Sequence, residues 1–109
     1  MWRVAPSGLR RVLDHMQEHL AQDLSLAELA GMVQMSPYYF SRLFKQSTGL
    51  SPHQYILQQR IEWAKRLLAD APLPIAATAY HVGFASQAHF TKIFRQWVGT
   101  TPRQYRQQR

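Results

Sequence analysis

Cysteine is missing from this chain altogether. That removes disulfides and thiolate metal sites, and it suits a reducing compartment. Long apolar runs are missing too: nothing approaches the roughly 20 residues that span a bilayer. The opening Met1-Trp2-Arg3-Val4-Ala5-Pro6 lacks the apolar core of a signal peptide. These absences predict a cytoplasmic protein and give no support to a membrane one. Acidic side chains are scarce and unevenly placed. The six are Asp14, Glu18, Asp23, Glu28, Glu62 and Asp70, so none falls between Glu28 and Glu62 and none after Asp70. Against 13 lysines and arginines they leave a formal charge of +7. Long stretches therefore carry positive charge with nothing to cancel it. A polyanion is the natural partner, nucleic acid before an anionic membrane.

What the chain does contain, it contains twice. Displaced by fifty positions, Ser36–Tyr55 falls on Ser86–Tyr105: Phe40 on Phe90, Phe44 on Phe94, Gly49 on Gly99, Pro52 on Pro102, Gln54 on Gln104. A repeat of this period is one supersecondary unit used twice, and two copies are too few for a solenoid. With 109 residues the product is one domain or two very small subdomains sharing a core.

Apolar residues at Leu9, Val12, Leu13, Met16 and Leu20 mark one face of a first helix. Ser25 and Glu28 have the spacing of a capping box, in which hydroxyl and carboxylate satisfy each other's backbone amide, and they open a short second helix. Ser36-Pro37 caps a third, which buries Phe40, Leu43 and Phe44 and stops at Gly49. Ser51-Pro52 with Gln54 opens a long helix apolar on more than one side, ended by Pro72 and Pro74. The pattern then recurs: a short helix from Ile75, a turn one residue longer that holds Gly83-Phe84, a helix capped by Ser86 that buries Phe90, Ile93, Phe94, Trp97 and Val98, and a last helix from Thr101-Pro102. A short helix, a tight turn and a separately capped helix make a helix-turn-helix, whose second helix enters a major groove when the motif reads DNA. Its outward positions are Tyr38, Ser41, Arg42 and Lys45 in the first copy and Gln87, Ala88, Thr91, Lys92 and Arg95 in the second. The predicted fold is all-α: seven helices, two helix-turn-helix subdomains (residues 9–50 and 72–109) and a long connector helix (51–71).

Taken together, Gly83-Phe84-x-Ser86, Phe90, Phe94, then Gly99, Pro102 and Tyr105-Arg106, with Leu29-Ala30, Ser36, Phe40, Phe44, Gly49 and Ser51-Pro52 in the first copy, resemble the DNA-binding domain of AraC/XylS-type bacterial transcription regulators. The resemblance covers about Leu9 to Arg106. It implies that two recognition helices enter successive major-groove segments of a site of roughly 20 base pairs, one turn or about 34 Å apart. Carried over, the base-reading positions are Tyr38, Ser41 and Arg42, then Gln87, His89, Thr91 and Lys92. Helix starts at Ser25 and Thr101 resemble the family's phosphate contacts, and Lys45, Arg95 and Arg103 are taken with them. The resemblance also implies contact with RNA polymerase, a place at the bacterial nucleoid, no cofactor and no catalysis. The length fits a stand-alone activator of the MarA/SoxS type, acting as a monomer, and equally a C-terminal domain of a longer, dimeric regulator; both stay open. Two departures matter. Ala77-Thr78-Ala79 stands where family members often have Glu-Ile before the alanine, which removes buried surface from the second short helix. Lys92 is a poorer fork for guanine than arginine is, so the first unit is expected to discriminate more.

Other readings stand beside this one. A basic helical adaptor for acidic proteins or membranes would use the charge without the groove geometry. His15-Met16-Gln17-Glu18-His19 matches a metallopeptidase pattern literally, but Met16 and Leu20 predict that the same helix packs inward, and a chance match is the reading adopted. Arg60 is assigned to backbone carbonyls or an acid rather than to phosphate. Tyr39, Tyr55, Tyr105 and Trp97 are assigned to packing. Packing and base contact both stand for His89, and phosphate contact and solvation both stand for Arg106 and Arg109.

Overall fold

The computed structural model describes residues 6–108. Among them lie seven α-helices and no strand: α1 (Pro6–Glu18), α2 (Leu26–Met32), α3 (Pro37–Thr48), α4 (Pro52–Asp70), α5 (Ile75–His81), α6 (Gln87–Val98) and α7 (Pro102–Gln107). Number, order and class agree with the sequence reading. α1 begins ahead of its apolar stripe, at a proline suited to the first turn. No helix among the described residues is long and apolar enough to cross a membrane. Contacts divide the chain into two compact units, Met1–Ile56 and Leu57–Arg109, with the boundary inside α4.

In the first unit α1 packs on α2 and α2 on α3. Val12, Met16, Leu29, Ala30, Phe40 and Phe44 are almost completely removed from water. Each of the larger of these side chains, alanine excepted, contributes roughly 1.5–3 kcal/mol. The Phe40 and Phe44 rings lie 5.6 Å apart, and Tyr55 from the start of α4 meets Phe44 edge-on at 5.6 Å. The second unit repeats the geometry: Phe90 and Phe94 at 5.6 Å, with Tyr105 edge-on to Phe94 at 5.6 Å. Ile61, Ala64 and Leu68 of α4 complete that core with Ala79, Val82 and Phe84.

Capping chemistry sets the helix starts. Ser36 Oγ accepts the Tyr39 amide and Ser86 Oγ the His89 amide. Ser51 with Gln54 and Thr101 with Gln104 each form both halves of a capping box. The expected box at Ser25 is only half made. Ser25 Oγ accepts the Glu28 amide at 3.0 Å, but the Glu28 carboxylate turns to α1, 3.9 Å from His15 Nε2. His15 Nε2 is buried and has no hydrogen-bond partner among the described residues, so this approach is a proximity and not a bond.

The two turns follow one plan with different residues. In the first, the Met35 amide returns to the Ala30 carbonyl, and in the second the Phe84 amide returns to the Ala79 carbonyl. Each needs a left-handed residue just after the short helix: Gln34 at φ 57° and Gly83 at φ 107°. Glycine reaches that region without steric cost, whereas glutamine does not.

Three further residues depart from expectation. Trp97, read as core, is 38% exposed in the final turn of α6. Tyr39, read as packing, is 54% exposed. In both cases helical period gave a direction around the axis but not a depth. Thr78 is wholly buried in the Ala77-Thr78-Ala79 run, and its hydroxyl donates to the Pro74 carbonyl at 3.2 Å. The smaller residue is thus accommodated with its polar atom satisfied inside its own helix.

Candidate nucleic-acid interface

α3 and α6 each bury one stripe and leave the opposite one to solvent. On α3 the outer stripe is Tyr38, Arg42 and Lys45, all exposed, with Ser41 half-buried beside them. Tyr38 and Arg42 are one turn apart and joined: Arg42 Nη1 donates to the Tyr38 hydroxyl at 3.3 Å, and the guanidinium carbon stands 5.7 Å from the ring centroid. On α6, Gln87, Ala88, Lys92 and Arg95 are exposed and Thr91 half-buried. These five line a shallow, open hollow along the helix. Neither helix carries an acid.

The second unit brings two of the expected phosphate contacts, Thr101 and Arg103, beside its outer stripe. Gln87 and Thr91 share a second hollow with Thr101 and Arg103, where the starts of α5 and α7 meet α6. At the start of α7 the capping box occupies the Thr101 and Gln104 amides, and Pro102 has none. The Arg103 amide is therefore the backbone donor that no helical bond uses. His89 is exposed, and its ring meets Phe84 edge-on at 5.4 Å. Ser25 is exposed and engaged as the α2 cap.

His53 was missed in reading the sequence. Ser51-Pro52-His53-Gln54 repeats the construction of Thr101-Pro102-Arg103-Gln104. In the first unit Ser41, Ser51 and His53 line a hollow of about 220 Å³ with Leu26 and Ile56. The fifty-residue displacement carried the signal, since it places His53 on Arg103.

Two further arginines are committed elsewhere. Arg60 Nη1 donates to the Gly83 carbonyl at 3.1 Å, and its guanidinium lies 5.8 Å from the Phe84 ring centroid. The structural assignment of Arg60 therefore holds. Arg106 donates from Nε to the Leu68 carbonyl at 3.2 Å and from Nη2 to the Ala71 carbonyl at 3.3 Å. It closes the C-terminal end of α4 rather than trailing in solvent. Arg109 lies outside the described residues. The His15 and His19 rings are 4.5 Å apart with Glu28 nearby, yet among the described residues no group of three or more His, Cys, Asp or Glu side chains is placed to hold a metal.

Comparison with known proteins matches the family model described as a helix-turn-helix domain to residues 29–108. The regulatory protein PocR of Salmonella typhimurium is 39% identical over 102 residues, covering 94% of this chain and 34% of PocR. The chain spans about a third of the length of the curated relatives it matches. Among solved structures, a transcriptional regulator from Chromobacterium violaceum with an AraC-type DNA-binding domain is 31% identical with a TM-score of 0.86, over 94% of this chain and 91% of that one. The DNA-binding domain of AdpA, a global transcriptional factor solved with a target DNA, is 32% identical with a TM-score of 0.87, over 93% and 91%.

Proposed function

The chain belongs to the AraC/XylS-type helix-turn-helix family, and from that premise we propose that it reads double-stranded DNA through the outer faces of α3 and α6. It is a DNA-binding transcription-regulator domain and not an enzyme. The observation that carries the reading is the pair of outer stripes at corresponding positions, acid-free and cationic, each backed by a phenylalanine core.

Tyr38, Ser41 and Arg42 are the base-facing set of the first unit. Gln87, His89, Thr91 and Lys92 are that of the second. Ser25, Lys45, Arg95, Thr101 and Arg103 meet phosphates, and His53 joins them as the counterpart of Arg103. Phosphate contacts fix register and supply affinity, while base edges supply discrimination. In this reading residues 9–50 and 72–109 are the reading subdomains and 51–71 the connector. One chain covers roughly 20 base pairs, in two adjacent major-groove segments. Bending of that site costs a few kcal/mol, recovered in contacts. Contact with RNA polymerase, a cytoplasmic place at the nucleoid and monomeric binding complete the proposal. They rest on the family.

Titration of a labelled duplex across a salt series tests it. With about six phosphates neutralised, log affinity falls against log salt with a slope of roughly −5. Association indifferent to salt, or equal for every duplex sequence, would remove the reading.

A further inference from the structure

The joined pair on α3 has no counterpart on α6. Tyr38 is 72% exposed, so no core packing holds its ring in place. Its recorded partner is Arg42, reached both by the hydroxyl and by the face of the ring. Fifty positions on stand Ala88 and Lys92. Alanine offers neither ring nor hydroxyl, and lysine has no planar fork to be aligned.

We infer that Tyr38 is a positioning residue for Arg42: it holds the guanidinium in the orientation that reads a guanine in the major groove. This deepens the proposed reading of α3 and rests on it. An unrestrained arginine loses the freedom of several rotors when it docks on a base. A guanidinium already leaning on the preceding turn loses less. The chemistry permits both contacts at once. Arg42 uses one N–H of Nη1 on Tyr38, which leaves Nη2 and Nε to fork onto guanine O6 and N7. The Tyr38 oxygen accepts that N–H and keeps its own proton, so the contact costs neither side chain its charge state. Tyr38 thus contributes to discrimination through Arg42, not as a separate reader of its own base.

A double-mutant cycle on the full chain separates the two roles. The probes are a duplex selected by the wild-type protein from random DNA and a scrambled duplex of the same length. The readout is the ratio of their affinities at one salt concentration. Tyr38→Phe keeps the ring and removes the acceptor, and it is expected to lower that ratio about three- to tenfold. Arg42→Ala is expected to lower it about 10- to 100-fold. In the Arg42→Ala background Tyr38→Phe should then change the ratio less than about twofold, the mark of coupled residues. The salt slope should be unmoved by Tyr38→Phe, since no charge is lost. Additive losses would overturn the positioning role while leaving α3 as a reader. A lone Arg42→Ala that left the ratio intact would overturn the reading of α3 and the positioning role together.

Discussion

Arg42 and Lys92 stand at matching positions fifty residues apart and differ in how well each can read a base. The guanidinium presents a planar fork, and the ammonium a point charge. Arg42→Ala should therefore cost the preference for a selected over a scrambled duplex about 1–3 kcal/mol, and Lys92→Ala distinctly less. Competition binding with both duplexes checks this, and an equal or larger loss at Lys92 would defeat it. Residue-scale strain gives a second test, in the two turns. Gln34→Gly relieves a left-handed glutamine and should raise stability by up to about 1 kcal/mol, part of the gain being offset by a freer unfolded chain. Gly83→Gln, at φ 107°, should lower it by more than about 1 kcal/mol. Urea unfolding of the two variants reads both signs. The outward faces were legible in the sequence because helical period alone assigns them. Tyr39 and Trp97 were misjudged because period says nothing of depth, and the Tyr38–Arg42 contact was missed because two outward side chains are not obliged to touch.

The helices show how far local rules carry. The starts at Ser36, Ser51, Ser86 and Thr101 were legible, because a cap is satisfied within three residues and needs no distant partner. The expected box at Ser25 is half made: the Glu28 carboxylate faces a neighbouring helix instead, 3.9 Å from His15 Nε2 and beyond hydrogen-bond reach. Arg106 is the same lesson at longer range, for its two acceptors lie 38 and 35 residues back. Its role at the end of α4 separates it from Arg103, which is exposed at the start of α7. Arg106→Ala should destabilise the protein by about 1–3 kcal/mol, since two bonds from a charged donor to the carbonyls of Leu68 in α4 and Ala71 just beyond it are lost. Arg103→Ala should leave stability within about 0.5 kcal/mol and weaken binding to any duplex. Thermal unfolding and a DNA titration on each variant separate the two, and the reverse pattern would contradict the assignment.

At the scale of the whole molecule, the scarcity of acids and the twofold repeat were plain in the sequence, and they imply one kind of partner met twice. The repeat is kept where a core or a cap needs it, in the Phe40–Phe44–Tyr55 and Phe90–Phe94–Tyr105 stacks. It is broken where contact with a base would differ, at Tyr38 against Ala88 and Arg42 against Lys92. Twin cores under unlike outer faces are what a reader of two different short sequences requires. Selection of bound sites from random duplex DNA tests that claim most directly. The account predicts two enriched boxes about ten base pairs apart, centre to centre, and unlike in sequence. Recovery of no enriched sequence, or of a single box indifferent to its flanks, would contradict it.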